Sequence, residues 1–239
     1  KLKKLNLKNS EIEIRHSRHY PLGDQISTLI GFYGKDGAQE GLEKSYDKVL
    51  SGKPGKQKYF KNAKQEVISQ PIEEKKMIHG SDIHLTIDAT IQFFAYKHLV
   101  EAIKTNKAKS GTVIILDNEK GEILAMANYP SYNPNHPQRE IQKNRALVDA
   151  YELGSVLKPI VLSKAFENNV IPVGQYIDIP RRLSLDDKVI VDSKNHEKLT
   201  PKEIIMVSSQ IGASKIALEL GYKELKKNYY DFGFTKPRS

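Results

Sequence analysis

Tyr151-Glu152-Leu153-Gly154-Ser155-Val156-Leu157-Lys158-Pro159 is the stretch on which the reading of this chain turns. On a helix, Ser155 and Lys158 at i and i+3 share a face, about 5–6 Å apart at Cβ. Serine is a poor nucleophile unless a neighbouring base takes its proton. A lysine amine can take it only when neutral, so its ordinary pKa near 10.4 must be lowered by desolvation or nearby positive charge. Pro159 limits the geometry, because proline is tolerated only in the first turn of a helix. Any helix that carries Lys158 therefore begins close to Ser155, which places the serine at the positive end of the helix dipole. That position favours an alkoxide and disfavours a charged lysine. Gly154 is expected to let a substrate backbone approach closely. Leu153, Val156, Leu157, Ile160, Val161 and Leu162 surround the pair, and a lysine inside such an apolar run is unusual unless paired or functional.

The four-residue spacing is not specific by itself, since Ser45-Tyr46-Asp47-Lys48 repeats it. There Asp47 and Glu43 are expected to hold Lys48 charged on a solvated, salt-bridged face.

The 239 residues suffice for one large domain, or for a domain with a smaller module. No cysteine is present, which excludes thiol nucleophiles, thiolate metal sites and disulfides. The net charge is +9, and residues 1–80 carry 16 Lys and Arg against 10 Asp and Glu. That excess fits either a solvated lysine-rich surface or a module facing an anionic surface. No basic stripe with interleaved aromatics and no nucleic-acid motif occurs, so no nucleic-acid partner is expected. No apolar run approaches the roughly 20 residues that span a bilayer, and there is no signal peptide. The chain opens at Lys1 without a methionine, so its natural start is expected to lie upstream.

Residues 1–80 read as irregular and strand-rich, with a short amphipathic helix over Gly41–Leu50 whose Leu42, Tyr46 and Val49 share a face. A polar segment runs from Asn62 to Glu74, and a module boundary is expected near residue 80. Asp88 is a good N-cap for a helix with Ile91, Ala95, His98, Leu99 and Ala102 at helical spacing, where His98 reads as a packed histidine. Residues 111–129 read as a β-hairpin, turned at Asn118–Gly121. The proline-rich loop from Tyr129 to Asn135 cannot continue as a central strand. Thr200, Pro201 and Glu203 form a capping box with proline in the first turn. A further helix runs from Gln210 to Leu220 and stops at Gly221.

The region Asn144-Arg145-Ala146 and Tyr151 to Pro159 resembles the first motif region of penicillin-binding proteins, which carry Ser-x-x-Lys, then a Ser-x-Asn type element, then Lys-Thr-Gly. Gly41-Leu42-Glu43 with Gly52-Lys53-Pro54-Gly55, then Leu85-Thr86-Ile87-Asp88, then Gly121-Glu122-Ile123-Leu124-Ala125-Met126 resemble the class B branch in order. The likeness runs from about Arg18 onward, and the Gly-Leu-Glu and Tyr-Glu-Leu-Gly-Ser segments are closer to the division-specific branch. It implies an α/β (α+β) fold: a mainly antiparallel sheet flanked by helices, with a smaller N-terminal pedestal module over 1–80 and a transpeptidase domain over 81–239.

The resemblance further implies a serine D,D-transpeptidase that cross-links peptidoglycan stem peptides ending in D-Ala-D-Ala during septal synthesis. Ser155 would be the nucleophile and Lys158 the base. Ser208, in Ser208-Ser209-Gln210, would relay a proton, unless Ser208 and Ser209 merely cap the next helix. Gln210 stands where the family has Asn, and the extra methylene puts its role in question. β-Lactams would acylate Ser155, and no metal or organic cofactor is implied. A single N-terminal anchor in the inner membrane, a periplasmic catalytic part, and divisome membrane proteins including a glycosyltransferase as partners complete the expectation. No Lys-Thr-Gly follows Ser208, and Lys109-Ser110-Gly111 precedes Ser155 and reads as a loop. The sequence is therefore expected to be a fragment that is a poor catalyst alone. A β-lactam-hydrolysing or β-lactam-sensing relative, or a non-catalytic division scaffold on the same fold, remain as alternatives.

Overall fold

The computed structural model describes residues 17–64, 67–70, 72–136 and 143–234. The end at Thr235–Ser239, and Gln65, Glu66 and Pro71 of the polar segment, lie outside the described residues. The chain divides into two compact units between Asp149 and Ala150. The module boundary expected near residue 80 falls in the irregular stretch 79–88 of the first unit.

In the first unit a 3₁₀ turn over Gly23–Gln25 precedes a helical turn, α1 (Ser27–Ile30), and the short pair β1 (Tyr33–Gly34) and β2 (Gly37–Ala38). The helix expected over Gly41–Leu50 is broken into α2 (Gly41–Ser45) and α3 (Asp47–Leu50). Tyr46 leaves helical geometry at the break, with φ −112° and ψ 18°. The expected apolar face does not form: Tyr46 and Val49 are exposed, and the buried residue of α2 is Glu43. Its carboxylate pairs with Arg18 at 3.2 Å and accepts from the Tyr20 hydroxyl at 3.2 Å, so a buried charge is paired as its desolvation requires. Burial and the neighbouring carboxylate push the Tyr20 phenol up to about 12.

The pair β3 (Lys56–Lys58) and β4 (Ile72–Lys75) follows, then α4 (Ala89–Asn106) and the hairpin β5 (Gly111–Leu116) and β6 (Ile123–Tyr129). Asp88 caps α4 as expected, its Oδ1 accepting from the Thr90 and Ile91 amides, both at 2.8 Å. The buried stripe of α4 is Gln92, Ala95, Leu99 and Ile103. It lies against Ala125 and Ala127 of β6, whose small side chains admit the helix closely. Gln92 sets the rotation of this face. Its amide accepts from Met126 N–H at 2.8 Å and donates to Met126 O at 3.2 Å and Gln25 O at 2.6 Å. In consequence His98 is turned outward, with its side chain 67% exposed, rather than packed. It stacks on Phe94, and its Nδ1 lies 3.0 Å from Glu101. Asn128 donates to Thr28 Oγ1 and Asn144 Oδ1 and accepts from Ala146 N–H, anchoring α5 (Arg145–Val148) to the end of β6.

In the second unit a 3₁₀ turn over Gly154–Leu157 leads directly into α6 (Lys158–Glu167). Two short antiparallel pairs follow. One joins β7 (Ile177–Asp178) to β10 (Lys198–Leu199), and the other joins β8 (Leu183–Leu185) to β9 (Lys188–Ile190). Then come α7 (Pro201–Met206), α8 (Gln210–Leu220) and α9 (Tyr222–Asp231). The capping box at Thr200 and Glu203 is present in full, and Gly221 ends α8 at φ +81°. Val161, Leu162 and Ala165 of α6, Ile204 of α7, and Ile211 and Ile216 of α8 form the core. Among the described residues every strand pair is two-stranded and antiparallel.

Candidate active site

The local geometry at Ser155 follows from its neighbours. Gly154 takes φ +57°, a left-handed value that residues with a Cβ reach only with strain. A Cβ there would meet nothing within 4 Å, so this turn, rather than a close approach by other chain atoms, is what glycine supplies. The chain then enters the 3₁₀ turn and α6, with Pro159 in the first helical turn. Val156 is 70% exposed and Ser155 is exposed, whereas Lys158 is only partly buried rather than enclosed by the apolar run.

Lys158 Nζ stands 3.1 Å from Ser155 Oγ, 2.9 Å from Ser208 Oγ and 2.6 Å from the Ser208 carbonyl. The Ser208 hydroxyl donates to Ser155 Oγ at 3.0 Å. Ser155, Lys158 and Ser208 thus form a closed triangle of polar atoms, with Ser208 brought in from 50 residues further along the chain. Burial lowers the Lys158 pKa below the ordinary lysine value, and the Asp192 carboxylate acts against that shift.

Ser208 reaches the triangle through the way α7 ends. Its amide bonds to Ile205 O at 3.2 Å, and the Ser209 amide bonds to Ile204 O at 2.9 Å. These are the two bonds of a Schellman motif, whose C′ residue is left-handed and usually glycine. Here that residue is Ser208, at φ +57°. The expectation that both serines might only cap the next helix separates cleanly. Ser209 is the cap of α8, accepting from Gly212 N–H at 2.9 Å, while Ser208 faces Lys158. Gly212 permits α8 to lie close on α7, since a Cβ there would come within 2.6 Å of Ile204 Cδ1 and Cγ1.

Gln210 is exposed, and with Gly154, Ser155, Leu157, Lys158 and Tyr229 it lines an open cavity of about 420 Å³. The structure therefore brings all four expected residues, Ser155, Lys158, Ser208 and Gln210, to one place. The second Ser-x-x-Lys copy is not comparable. Ser45 ends α2, Lys48 lies in α3, and Lys48 is exposed. Lys109 and Ser110 form the loop into β5, as read from the sequence.

Sequence reasoning missed Asp192. Its carboxylate accepts from Ser209 Oγ and the Gln210 amide, both at 2.5 Å, and from the Ile211 amide at 3.1 Å. It lies 16 residues before Ser208 in an irregular segment, and no spacing rule links the two. Among the described residues no group of three or more His, Asp and Glu is arranged to hold a metal ion. Nor is any described helix long and apolar enough to cross a membrane.

A serine at a helix start, a half-buried lysine one turn on and a second serine from a distant loop define the class. The chain belongs to the penicillin-binding protein transpeptidase family. The family model "Penicillin binding protein transpeptidase domain" matches residues 111–238, and "Penicillin-binding Protein dimerisation domain" matches residues 1–85. Within the family it stands with the division-type class B proteins. It is 39% identical over 227 residues to the peptidoglycan D,D-transpeptidase FtsI of Buchnera aphidicola, covering 92% of this chain and 39% of that protein. It is 35% identical to the FtsI of Escherichia coli, covering 98% of this chain and 40% of that protein. The chain thus spans about two-fifths of the length of these curated relatives.

Among solved structures, a peptidoglycan synthetase from Bifidobacterium adolescentis shares the fold, with TM-score 0.80 and 23% identity over 92% of this chain and 41% of that one. Penicillin-binding protein 3 of Mycobacterium tuberculosis, complexed with aztreonam, gives TM-score 0.76 and 26% identity over 90% of this chain and 46% of that one. The penicillin-binding fold expected from the sequence is the fold found.

Proposed function

We infer that the protein to which this chain belongs is a serine D,D-transpeptidase of septal peptidoglycan synthesis, and that Ser155 is its nucleophile. The observation that carries this reading is the triangle of Ser155 Oγ, Lys158 Nζ and Ser208 Oγ, with sides of 2.9 to 3.1 Å. Each side is within proton-transfer reach.

In the first half-reaction Ser155 Oγ bonds to the carbonyl carbon of the penultimate D-Ala, and its proton passes to the neutral amine of Lys158. The oxyanion that forms is met by backbone N–H groups, and this reading assigns that of Ser155, in the first residues of the 3₁₀ turn, as one of them. The carbon–nitrogen bond to the terminal D-Ala then breaks. The proton held on Lys158 moves through the Ser208 hydroxyl to the departing amine, leaving an ester on Ser155. In the second half-reaction an amine of a neighbouring stem attacks that ester. It gives up its proton by the same route reversed, and Ser155 is released. A β-lactam enters the first half-reaction in place of D-Ala-D-Ala. Its ring-opened amine stays attached, so the acyl-enzyme persists.

The same reading places residues 1–80 in a pedestal module before the transpeptidase domain. It gives the whole protein a membrane anchor, a periplasmic catalytic part and divisome membrane partners including a glycosyltransferase. Support comes from the two family models and the FtsI relatives.

The test is direct. The full-length protein is incubated with a labelled penicillin, digested, and the adduct mapped. Label on the peptide that contains Ser155, absent in Ser155→Ala, is the expected result. An unlabelled protein, or label confined to another peptide, refutes the assignment and favours a non-catalytic scaffold. Rapid turnover of the adduct, within minutes, would instead mark a hydrolase.

A further inference from the structure

Ser214 and Lys215 are consecutive residues of α8, yet they line different cavities. Ser214 lines the one that holds Ser155 and Gln210. Lys215 lines a second cavity, of about 650 Å³, with Asp178, Arg181, Asn195, His196 and Glu197. That volume is within the range of small-ligand sites, about 300–1,000 Å³. An α-helix with its side chains is about 10–12 Å across, so the two cavities flank the same helix at about that separation.

The walls of the second cavity are held by backbone bonds. β7 pairs with β10, and the Ile179 amide continues that ladder to the Glu197 carbonyl at 2.8 Å. Pro180 follows and has no N–H to extend the ladder, so the chain leaves the pair there and Arg181 is exposed. Lys215 is partly buried and donates to the Asp178 carbonyl at 2.8 Å, which fixes its ammonium at the cavity. That bond uses one N–H of an ammonium that has three. The Asp178 carboxylate is itself paired with Lys198 at 3.5 Å. Among the described residues neither Arg181 nor Lys215 has a carboxylate partner.

Two cations without a counter-charge call for a carboxylate, and a guanidinium can hold one by two parallel N–H bonds. The same cavity carries Glu197, which suits an amine. That mixture disfavours a run of acidic residues, which would meet Glu197 as a like charge, and favours a short dipolar peptide. A peptidoglycan stem is such a peptide: it ends in a carboxylate, and its side-chain amine accepts the cross-link. We propose that the cavity of Arg181 and Lys215 is a second, non-catalytic site for a stem peptide, held by its terminal carboxylate. A glycan strand carries one stem after another, so a stem bound here raises the effective concentration of its neighbours at Ser155. The proposal rests on the transpeptidase reading of Ser155.

The experiment uses the full-length protein after acylation of Ser155 by a labelled penicillin, which fills the catalytic cavity. A soluble stem pentapeptide ending in D-Ala-D-Ala is titrated against it, and binding is followed by ligand-observed NMR. Saturable binding is expected to persist in the acylated protein and to weaken with added salt. It is expected to fall by about 10- to 100-fold in Arg181→Glu, the loss that a charged hydrogen-bonded contact carries. The same peptide with a C-terminal amide is expected to bind the unmodified protein as weakly. If Arg181→Glu does not fold, Arg181→Ala decides. Loss of peptide binding on acylation overturns the proposal, because the catalytic cavity is then the site that was read. So does a substituted protein, or an amidated peptide, that binds as the unmodified pair does. Poly-glutamate that binds the acylated protein more tightly than the pentapeptide, and loses that binding in Arg181→Glu, marks an acidic protein segment as the occupant and overturns it too. Failure of the unmodified protein to take the penicillin label at Ser155 refutes the underlying reading. That failure is distinguishable because it is seen before any peptide is added.

Discussion

The carbonyl oxygen of Ser208 stands 2.6 Å from Lys158 Nζ, nearer than the hydroxyl of either serine. A carbonyl can only accept, so it takes one N–H of the lysine in either protonation state. A protonated Lys158 has three N–H groups for three acceptors: the carbonyl and the two hydroxyl oxygens. A neutral Lys158 has two N–H groups and a lone pair. With the N–H groups held by Ser208 O and Oγ, the lone pair is left facing the Ser155 hydroxyl, which then donates to it. Every polar atom of the triangle keeps a partner in both states. The carbonyl therefore aims the base, and the left-handed turn at Ser208 is what points the carbonyl inward.

Replacing Lys158 by arginine should abolish this arrangement without removing positive charge. Guanidinium stays protonated in proteins and cannot accept the Ser155 proton. Loss of a general base typically costs about 10²- to 10⁴-fold. The second-order rate of labelling by a penicillin should fall by that order in Lys158→Arg while the circular dichroism spectrum is unchanged. Labelling at the unmodified rate would remove Lys158 from the chemistry.

Ser208 occupies a backbone position that suits glycine. Ser208→Gly and Ser208→Ala both delete the hydroxyl, but only alanine keeps a Cβ in the left-handed region. The glycine variant should therefore be the more stable of the two by about 1 kcal/mol. Both should lose acylation to a similar extent. Urea denaturation and penicillin labelling read the two quantities separately. Equal stabilities would mean that the turn relaxes when the hydroxyl is lost.

Acylation requires neutral Lys158, so its rate should rise with pH and level off above the lysine's pKa. Burial places that pKa below the ordinary 10.5, with Asp192 opposing. The midpoint of the rate profile is therefore expected on the acid side of 10.5. Stopped-flow acylation across a pH series measures it. A midpoint at or above the ordinary lysine value would contradict a desolvated amine.

Gly212 and Ile204 are coupled. A Cβ on residue 212 would sit 2.6 Å from two Ile204 side-chain atoms, so Gly212→Ala forces α7 and α8 apart at the turn that carries Ser208. Overpacking of this kind costs about 1–3 kcal/mol. Adding Ile204→Val, which removes Cδ1, should recover part of both stability and acylation. A double-mutant cycle with additive effects would show that the two residues do not press on one another.

Much of this site could be read from residues in order. Lys158 lies one helical turn past Ser155, and Pro159 dictates where that helix starts. Thr200 and Glu203 announce α7, and Gly221 marks the end of α8. These are local rules, carried by backbone geometry within a few residues, and they place Ser155, Lys158 and the serine-rich turn without coordinates. Other readings failed for want of long-range information. The face of α4 was misjudged at His98 because Gln92, bonded to the backbone of β6, sets the rotation of that helix. The helix over Gly41–Leu50 was misjudged because Glu43 is drawn inward by Arg18 and Tyr20.

The sequence by itself determined that Ser155 and Lys158 meet, since a serine and a lysine three apart at a helix start are set by the chain's own pitch. Only the tertiary structure decided that Ser208 turns its carbonyl and hydroxyl onto that lysine, and that Asp192 stands behind it. Those contacts join residues 17 to 50 positions apart. Their geometry depends on how α6, α7 and α8 pack around Ile204 and Gly212, which no local pattern encodes.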